Sequence, residues 1–304
     1  MSTLPPSWRD LSSVPVPEGT FLPGTSIEII RPVNASGARA VLFDFDGTLS
    51  LIRSGWVEVM VPMMVEILEQ TGTGESRRSL ENTVREFVAR LTGKQTIYQM
   101  IELARQVEMR GAEPLQPIEY KRMYLDRLWR LIGDRVKALQ TGRADPDQYL
   151  VPGARRLLET LRGRNLAIYI ASGTDQADVL REAELLRLTE YAEGRVYGAL
   201  DDPSRYSKRM VIQRIIAEHR IRPGELLGFG DGYVEIEDVK AAGGCAVAVA
   251  TEEPECRSVD QWKRRRLILA GSDIVIPNYL EQDKLLEYLF REETPHGADT
   301  KLKE

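Results

Sequence analysis

The segment Asp44-Phe45-Asp46-Gly47-Thr48 places two carboxylates one residue apart at the end of an apolar run. Further along stand Ser172-Gly173-Thr174, then Lys208, then Gly230-Asp231-Gly232-Tyr233-Val234-Glu235, with Asp238 three residues on. The carboxylates, the hydroxyl and, if Lys208 follows a strand, the lysine occupy one kind of place, just past a β-prone stretch. In an open α/β sheet such places share one edge, where ligands bind. Carboxylate, hydroxyl and ammonium groups converging there would make a pocket for a hard cation and a phosphate. The chain has only two cysteines and two histidines. That count excludes a disulfide framework, a Cys-rich zinc site and multi-His chemistry, so a metal here must take oxygen ligands.

The elements that must position these groups can be read from periodicity. Residues 38–45 are a buried strand ending in a polar loop. From 150 onward, strands at 166–171, 195–199, 225–230, 246–250 and 273–276 alternate with helical patterns at 153–162, 176–186, 208–218 and 236–242. This rhythm predicts an α/β fold, a Rossmann-like parallel sheet with helices on both faces. Residues 54–149 carry helical spacing with almost no strand signal, so an all-helical module is spliced in after the first strand. The expected layout is an N-terminal arm over 1–36 with a short strand at 26–31, a core of 37–53 and 150–291, the helical module 54–149, and a polar tail 292–304. Pro62 falls inside the first helix of the module, and its methionines read as adaptable core packing.

Four ordered motifs, Asp44-Phe-Asp-Gly-Thr, Ser172, Lys208 and Gly230-Asp231, together with the inserted helices, resemble the haloacid dehalogenase-like hydrolases of the helical-cap type, similar to phosphoglycolate phosphatase and β-phosphoglucomutase. The resemblance spans residues 41–276. It implies that Asp44 is the nucleophile, forming an aspartyl-phosphate, and that Asp46 is the acid and then the base. Mg²⁺ would sit between Asp44, Asp231 and the backbone carbonyl of Asp46. Glu235 stands where the family often has Asp; one methylene longer, it is assigned beside the metal. Ser172 and backbone amides near Gly47, Thr48 and Gly173 would hold phosphoryl oxygens, and Lys208 would balance charge.

Arg53 and Trp56 lie just after the first motif, near the expected hinge. Lys94, Gln95 and Thr96 lie in a loop that in capped relatives reaches the active site. Arg53 and Lys94 are assigned to substrate. The basic run Lys263-Arg264-Arg265-Arg266 reads as a solvated helix face, Asp238 as a helix-surface carboxylate or a weaker neighbour of the metal, and His219 as a surface residue. The expected function is a Mg²⁺-dependent phosphatase of a small phosphorylated metabolite, such as a sugar phosphate. A phosphomutase is the runner-up, and a non-catalytic phospholigand binder ranks below both. A dehalogenase needs no metal, and Asp46 suits an oxygen leaving group better than a phosphonate carbon. The formal net charge of −5 (41 basic, 46 acidic residues) argues against nucleic-acid partners. No apolar run approaches the ~18 residues of a membrane span, and a cytoplasmic location is expected.

Overall fold

The β-prone runs pair into one sheet, in a computed structural model that describes residues 14–200, 202 and 205–292. Its strands are β1 (Thr20–Phe21), β2 (Glu28–Ile29), β3 (Ala40–Phe43), β4 (Ala167–Asp175), β5 (Val196–Ala199), β6 (Leu226–Gly230), β7 (Cys245–Val249) and β8 (Ile274–Ile276). Their order is β1-β2-β8-β7-β6-β3-β4-β5. All neighbours from β8 to β5 are parallel, whereas β1 and β2 add an antiparallel edge. The chain moves outward from β3 through β4 to β5, then crosses back to β6 on the other flank. That reversal opens a crevice at the carboxyl ends of β3 and β6.

Alternate residues of each central strand enter different cores. Val41, Phe43, Phe229 and Val247 join one cluster with helices α5 (Ala154–Gly163) and α11 (Gln282–Leu289). Ala40, Leu42, Leu226 and Ala246 join another with α8 (Lys208–His219), α9 (Tyr233–Ala241) and α10 (Gln261–Leu269). A sheet covered on both faces in this way reads as continuous apolar runs in sequence. Helices α6 (Gln176–Leu185) and α7 (Thr189–Ala192) complete the connection from β4 to β5.

Between β3 and β4 the chain forms four helices, α1 (Trp56–Glu69), α2 (Arg77–Leu91), α3 (Thr96–Glu108) and α4 (Pro117–Gln140). Met60, Met63, Met64 and Met100 are buried in their shared core. Ser76 caps α2, and Pro117 with the Gln116–Glu119 capping box starts α4. Arg135 of α4 donates to the carbonyls of Ile52 and Ser54 at 2.9 and 2.8 Å, fixing the connection out of the sheet. No described helix is long and apolar enough to cross a membrane.

Two local expectations need correction. The arm is not merely extended: residues 20–21 and 28–29 form a hairpin on the sheet edge, while residues 1–13 and the tail from 293 lie outside the described residues. Strand β4 does not stop at Ala171 but runs to Asp175, because Asp175 pairs with Ala199 across a register shift. Ser172-Gly173-Thr174 therefore sits on extended backbone before α6, not in a helix cap.

Candidate active site

The site begins where β3 ends. The Asp44 amide still donates to the Phe229 carbonyl at 2.9 Å, so Asp44 leaves the sheet with its backbone locked between strands. The chain then turns at Gly47, whose φ is +74°. A Cβ at this position would lie 2.4 Å from Asp231 Oδ2, so glycine is required both for the turn and for the close approach. The turn is self-bonded: the Gly47 amide donates to the Ser50 carbonyl at 2.9 Å and the Thr48 amide to the Phe45 carbonyl at 3.3 Å. Gly47 and Thr48 are the residues whose amides the resemblance assigns to phosphoryl oxygens. Their amides are consumed within the loop, and the Thr48 hydroxyl lies 3.4 Å from Asp231 Oδ1.

Asp46 faces the end of β4. Its Oδ2 accepts from Thr174 Oγ1 at 2.8 Å and from Ser172 Oγ at 3.2 Å. Its Oδ1 accepts no hydrogen bond and lies 4.0 Å from Arg53 Nε. One oxygen is thus anchored and the other is left for chemistry. Ser172 in turn accepts from the Thr174 amide at 3.0 Å, and its carbonyl accepts from Tyr206 Oη at 2.8 Å.

Lys208 is the first residue of α8, a start set by Ser207, whose side chain caps the Met210 amide at 3.2 Å. Its buried ammonium donates to Asp44 Oδ1 at 2.7 Å and to Glu235 Oε2 at 3.1 Å. The other Glu235 oxygen accepts from the Gly232 amide at 2.6 Å. Burial drives the Asp44 carboxyl well above the usual aspartate range; the attraction of Lys208 opposes this, and the nearby Glu235 and Asp231 charges add to it. Asp231 is also raised by burial, against the pull of Lys263. For Glu235, burial is outweighed by Lys208 and its hydrogen bonds, so its carboxyl lies low.

Asp44, Asp231 and Glu235 each offer a carboxylate oxygen within 4.8 Å of the others. When ionised, these three carboxylates and the adjacent Glu253 meet two ammoniums, Lys208 and Lys263. The excess of two negative charges and the all-oxygen donor set fit a hard divalent cation. The Asp46 carboxylate is not in this cluster, and Asp238 lies apart as well, buried and paired with Arg209 at 2.8 Å.

The helical insert closes over these groups. A cavity of about 90 Å³ is lined by Asp44, Asp46, Ser172, Gly173, Thr174, Lys208 and Asp231 from the sheet side. Arg53, Trp56, Met60, Thr92, Gly93, Lys94, Thr96, Gln99 and Tyr124 line it from the insert side. The loop between α2 and α3 is tightly seated: a Cβ on Gly173 would lie 2.5 Å from the Lys94 carbonyl oxygen. Gln95 Nε2 donates to the Tyr206 carbonyl at 2.8 Å, and Lys121 of α4 pairs with Asp175 at the end of β4. Arg53 reaches the cavity wall but is bound to α6, with Nη2 2.7 Å from Glu182 Oε1 and 3.2 Å from Asp178 Oδ2. Lys94 is exposed, its ammonium 5.9 Å from the Tyr98 ring centre. A wider cleft of about 990 Å³ lies between the insert and α10 and shares only Asp231, Trp56 and Thr92 with the cavity.

The structure thus brings Asp44, Asp46, Arg53, Lys94, Ser172, Gly173, Lys208, Asp231 and Glu235 around one site. It adds groups not assigned from sequence: Thr174, Glu182, Gln99, Tyr124, Glu253 and Lys263. The reading of residues 263–266 as a solvated face is corrected. Lys263 Nζ lies 3.2 Å from Asp231 Oδ2, Arg264 pairs with Glu28, and Arg266 is 1% exposed, reaching the Ala89 carbonyl of α2 at 2.7 Å. His219 is half-buried, its Nε2 2.8 Å from Tyr169 Oη.

Among curated proteins no sequence match is found. Among solved structures, a predicted phosphoglycolate phosphatase from Haemophilus somnus is similar at a TM-score of 0.53 and 13% identity, covering 82% of this chain and 98% of that one. A predicted phosphatase from Clostridium acetobutylicum gives a TM-score of 0.52 at 17% identity, covering 82% and 99%. A β-phosphoglucomutase from Clostridium difficile gives 0.51 at 13% identity, covering 83% and 97%. At these identities the likeness is one of fold. The family model of the haloacid dehalogenase-like hydrolases matches residues 38–243, spanning β3, the helical insert, β4 to β6 and α9. The chain belongs to the haloacid dehalogenase-like hydrolase family.

Proposed function

We propose that this hydrolase is a Mg²⁺-dependent phosphatase that cleaves a small phosphorylated metabolite through an aspartyl-phosphate on Asp44. The observation that carries the reading is the division of labour between the two aspartates. Asp44 stands in the acidic cluster with Lys208 2.7 Å away, while Asp46 is anchored by Thr174 with its second oxygen open. The first is placed for attack and the second for proton transfer.

In this account the Asp44 carboxylate attacks phosphorus in line and the bond to the ester oxygen breaks. Asp46 gives its proton to the departing alkoxide through Oδ1. Asp46 then takes a proton from water as that water attacks phosphorus, and the Asp44 carboxylate leaves, regenerating both groups. Lys208 holds Asp44 oriented and offsets charge on the phosphoryl group. Asp44, Asp231 and Glu235 would hold the cation. Bound Mg²⁺ would supply the positive charge that lets a phosphate dianion approach these carboxylates. Residues 37–53 and 150–291 act as the core, and 54–149 as a cap that opens to exchange substrate and product.

The test is phosphate release from a panel of phosphomonoesters by wild type and Asp44→Asn, with and without Mg²⁺. The account expects Mg²⁺-dependent turnover that falls roughly a thousandfold or more in the variant. Turnover undiminished in Asp44→Asn, or none by wild type across the panel, would overturn it.

A further inference from the structure

Two polar side chains on the insert side face the cavity without hydrogen-bond partners among the described residues. Gln99 of α3 and Tyr124 of α4 are each 4% exposed, and both line the cavity that holds Asp44 and Asp46. Among the described residues neither the Gln99 amide nor the Tyr124 hydroxyl makes a hydrogen bond. Neither group is among the fully enclosed polar atoms that lack a partner, so both can be reached from the cavity by water or a ligand. Burial pushes the Tyr124 phenol up, so it stays protonated and can donate as well as accept.

The buried guanidinium beside them is already matched. The Arg53 guanidinium is the insert's buried cation at the cavity wall, and it is held by Glu182, which is fully buried, and by Asp178. Lys94 stands exposed at the rim. A second anion on the ligand would find no unmatched buried cation here and would meet Asp46, whose Oδ1 is already without a hydrogen bond.

The direction of the leaving group follows from Asp46. Asp44 and Asp46 line the small cavity and not the wide cleft beside α10. An ester oxygen protonated by Asp46 therefore carries its substituent toward Gln99 and Tyr124. At about 90 Å³ the cavity is far below the size of pockets for large ligands.

From these observations we infer that Gln99 and Tyr124 are specificity-determining residues for a short, uncharged, hydroxyl-bearing leaving group: the preferred ligand is a polyol monophosphate, not a bisphosphate or a phosphorylated carboxylic acid. This rests on the phosphatase reading for the orientation of the ester. The amide supplies one donor pair and one acceptor and the phenol one of each, a set that suits neighbouring hydroxyls.

The experiment is calorimetric binding to the Asp44→Asn protein with Mg²⁺, using glycerol 3-phosphate, ethyl phosphate, phosphoglycolate and 2,3-bisphosphoglycerate. Glycerol 3-phosphate is expected to bind roughly tenfold tighter than the other three. Gln99→Leu and Tyr124→Phe, each added to Asp44→Asn, should each cut that preference roughly three- to tenfold, the size of one net hydrogen bond. Equal affinities, tighter binding of either acidic ligand, no binding of glycerol 3-phosphate, or a preference that survives both substitutions would overturn the inference. Wild-type turnover without the preference would leave the phosphatase reading standing and sink this one. The preference without any wild-type turnover would do the reverse.

Discussion

Asp231 is held from two sides, by the Thr48 hydroxyl at 3.4 Å and by the Lys263 ammonium at 3.2 Å. A divalent cation that binds Asp231 must share that carboxylate with Lys263, which is itself drawn toward Glu253. Two like charges a few ångströms apart repel by a few kcal/mol at an effective dielectric constant of about 20, less where solvent reaches them. Lys263→Met is therefore expected to tighten Mg²⁺ binding by roughly tenfold, read by titration calorimetry; an unchanged or weaker affinity would contradict this role. The sequence made Asp44, Asp46, Ser172, Asp231 and Glu235 legible because each closely follows or ends a β-prone run, and Lys208 because it stands in order before Gly230-Asp231. It hid Lys263 because an ion pair spanning 32 residues leaves no local pattern. A basic run on a helix has the same composition whether it faces water or a buried carboxylate. Gln99 and Tyr124 were hidden for a similar reason, since helical periodicity marks them as inward-facing without saying what they face.

At the scale of elements, one ion pair ties the edge hairpin to α10. Glu28 of β2 is buried and accepts from Arg264 of α10 at 2.5 and 2.6 Å, and from the Gly19 amide at 3.0 Å. Burial alone would raise its carboxyl, but these bonds more than offset that, and its pKa is lowered. A lowered carboxyl contributes stability above the ordinary glutamate range and loses it as pH falls through the lowered value. Protection factors for amide exchange in residues 20–30 are expected to stay high from neutral pH down to that range and then fall. Glu28→Gln should exchange fast already at neutral pH; equal protection in both proteins would contradict the assignment. The strand at 26–31 was visible from its apolar residues, but its partner at 20–21 is too short to leave a period. The overrun of β4 was illegible for another reason. Ser-Gly-Thr-Asp favours turns and caps, and only the pairing of Asp175 with Ala199, distant in sequence, holds it extended.

For the molecule as a whole, the insert and the sheet meet over a cavity that carries an acidic cluster. The layout was legible because the period changes from short apolar runs to helical spacing after Arg53 and changes back near Leu150. How tightly the two parts close was not, because Lys94 against Gly173 and Arg266 against Ala89 are contacts between distant backbones and side chains. The acidic cluster also couples stability to pH. Burial raises Asp44 and Asp231, so each favours the fold while protonated, and this contribution is lost as pH rises from the ordinary aspartate range, near about 4, through their raised values. Glu235, lowered, acts in the opposite sense. Because a cation must displace the protons on Asp44 and Asp231, stabilisation by Mg²⁺ should grow as pH rises from the ordinary aspartate range through their raised values. Melting temperatures with and without Mg²⁺ read this directly, and a shift that is constant or larger in acid would contradict it. The central claim, that Asp44 itself carries the phosphoryl group, is tested by quenching the enzyme in acid during turnover, reducing with borohydride and mapping peptides by mass spectrometry. The account predicts homoserine at position 44 and nowhere else; homoserine at another carboxylate, or an unmodified Asp44 in an enzyme caught turning over, would contradict it.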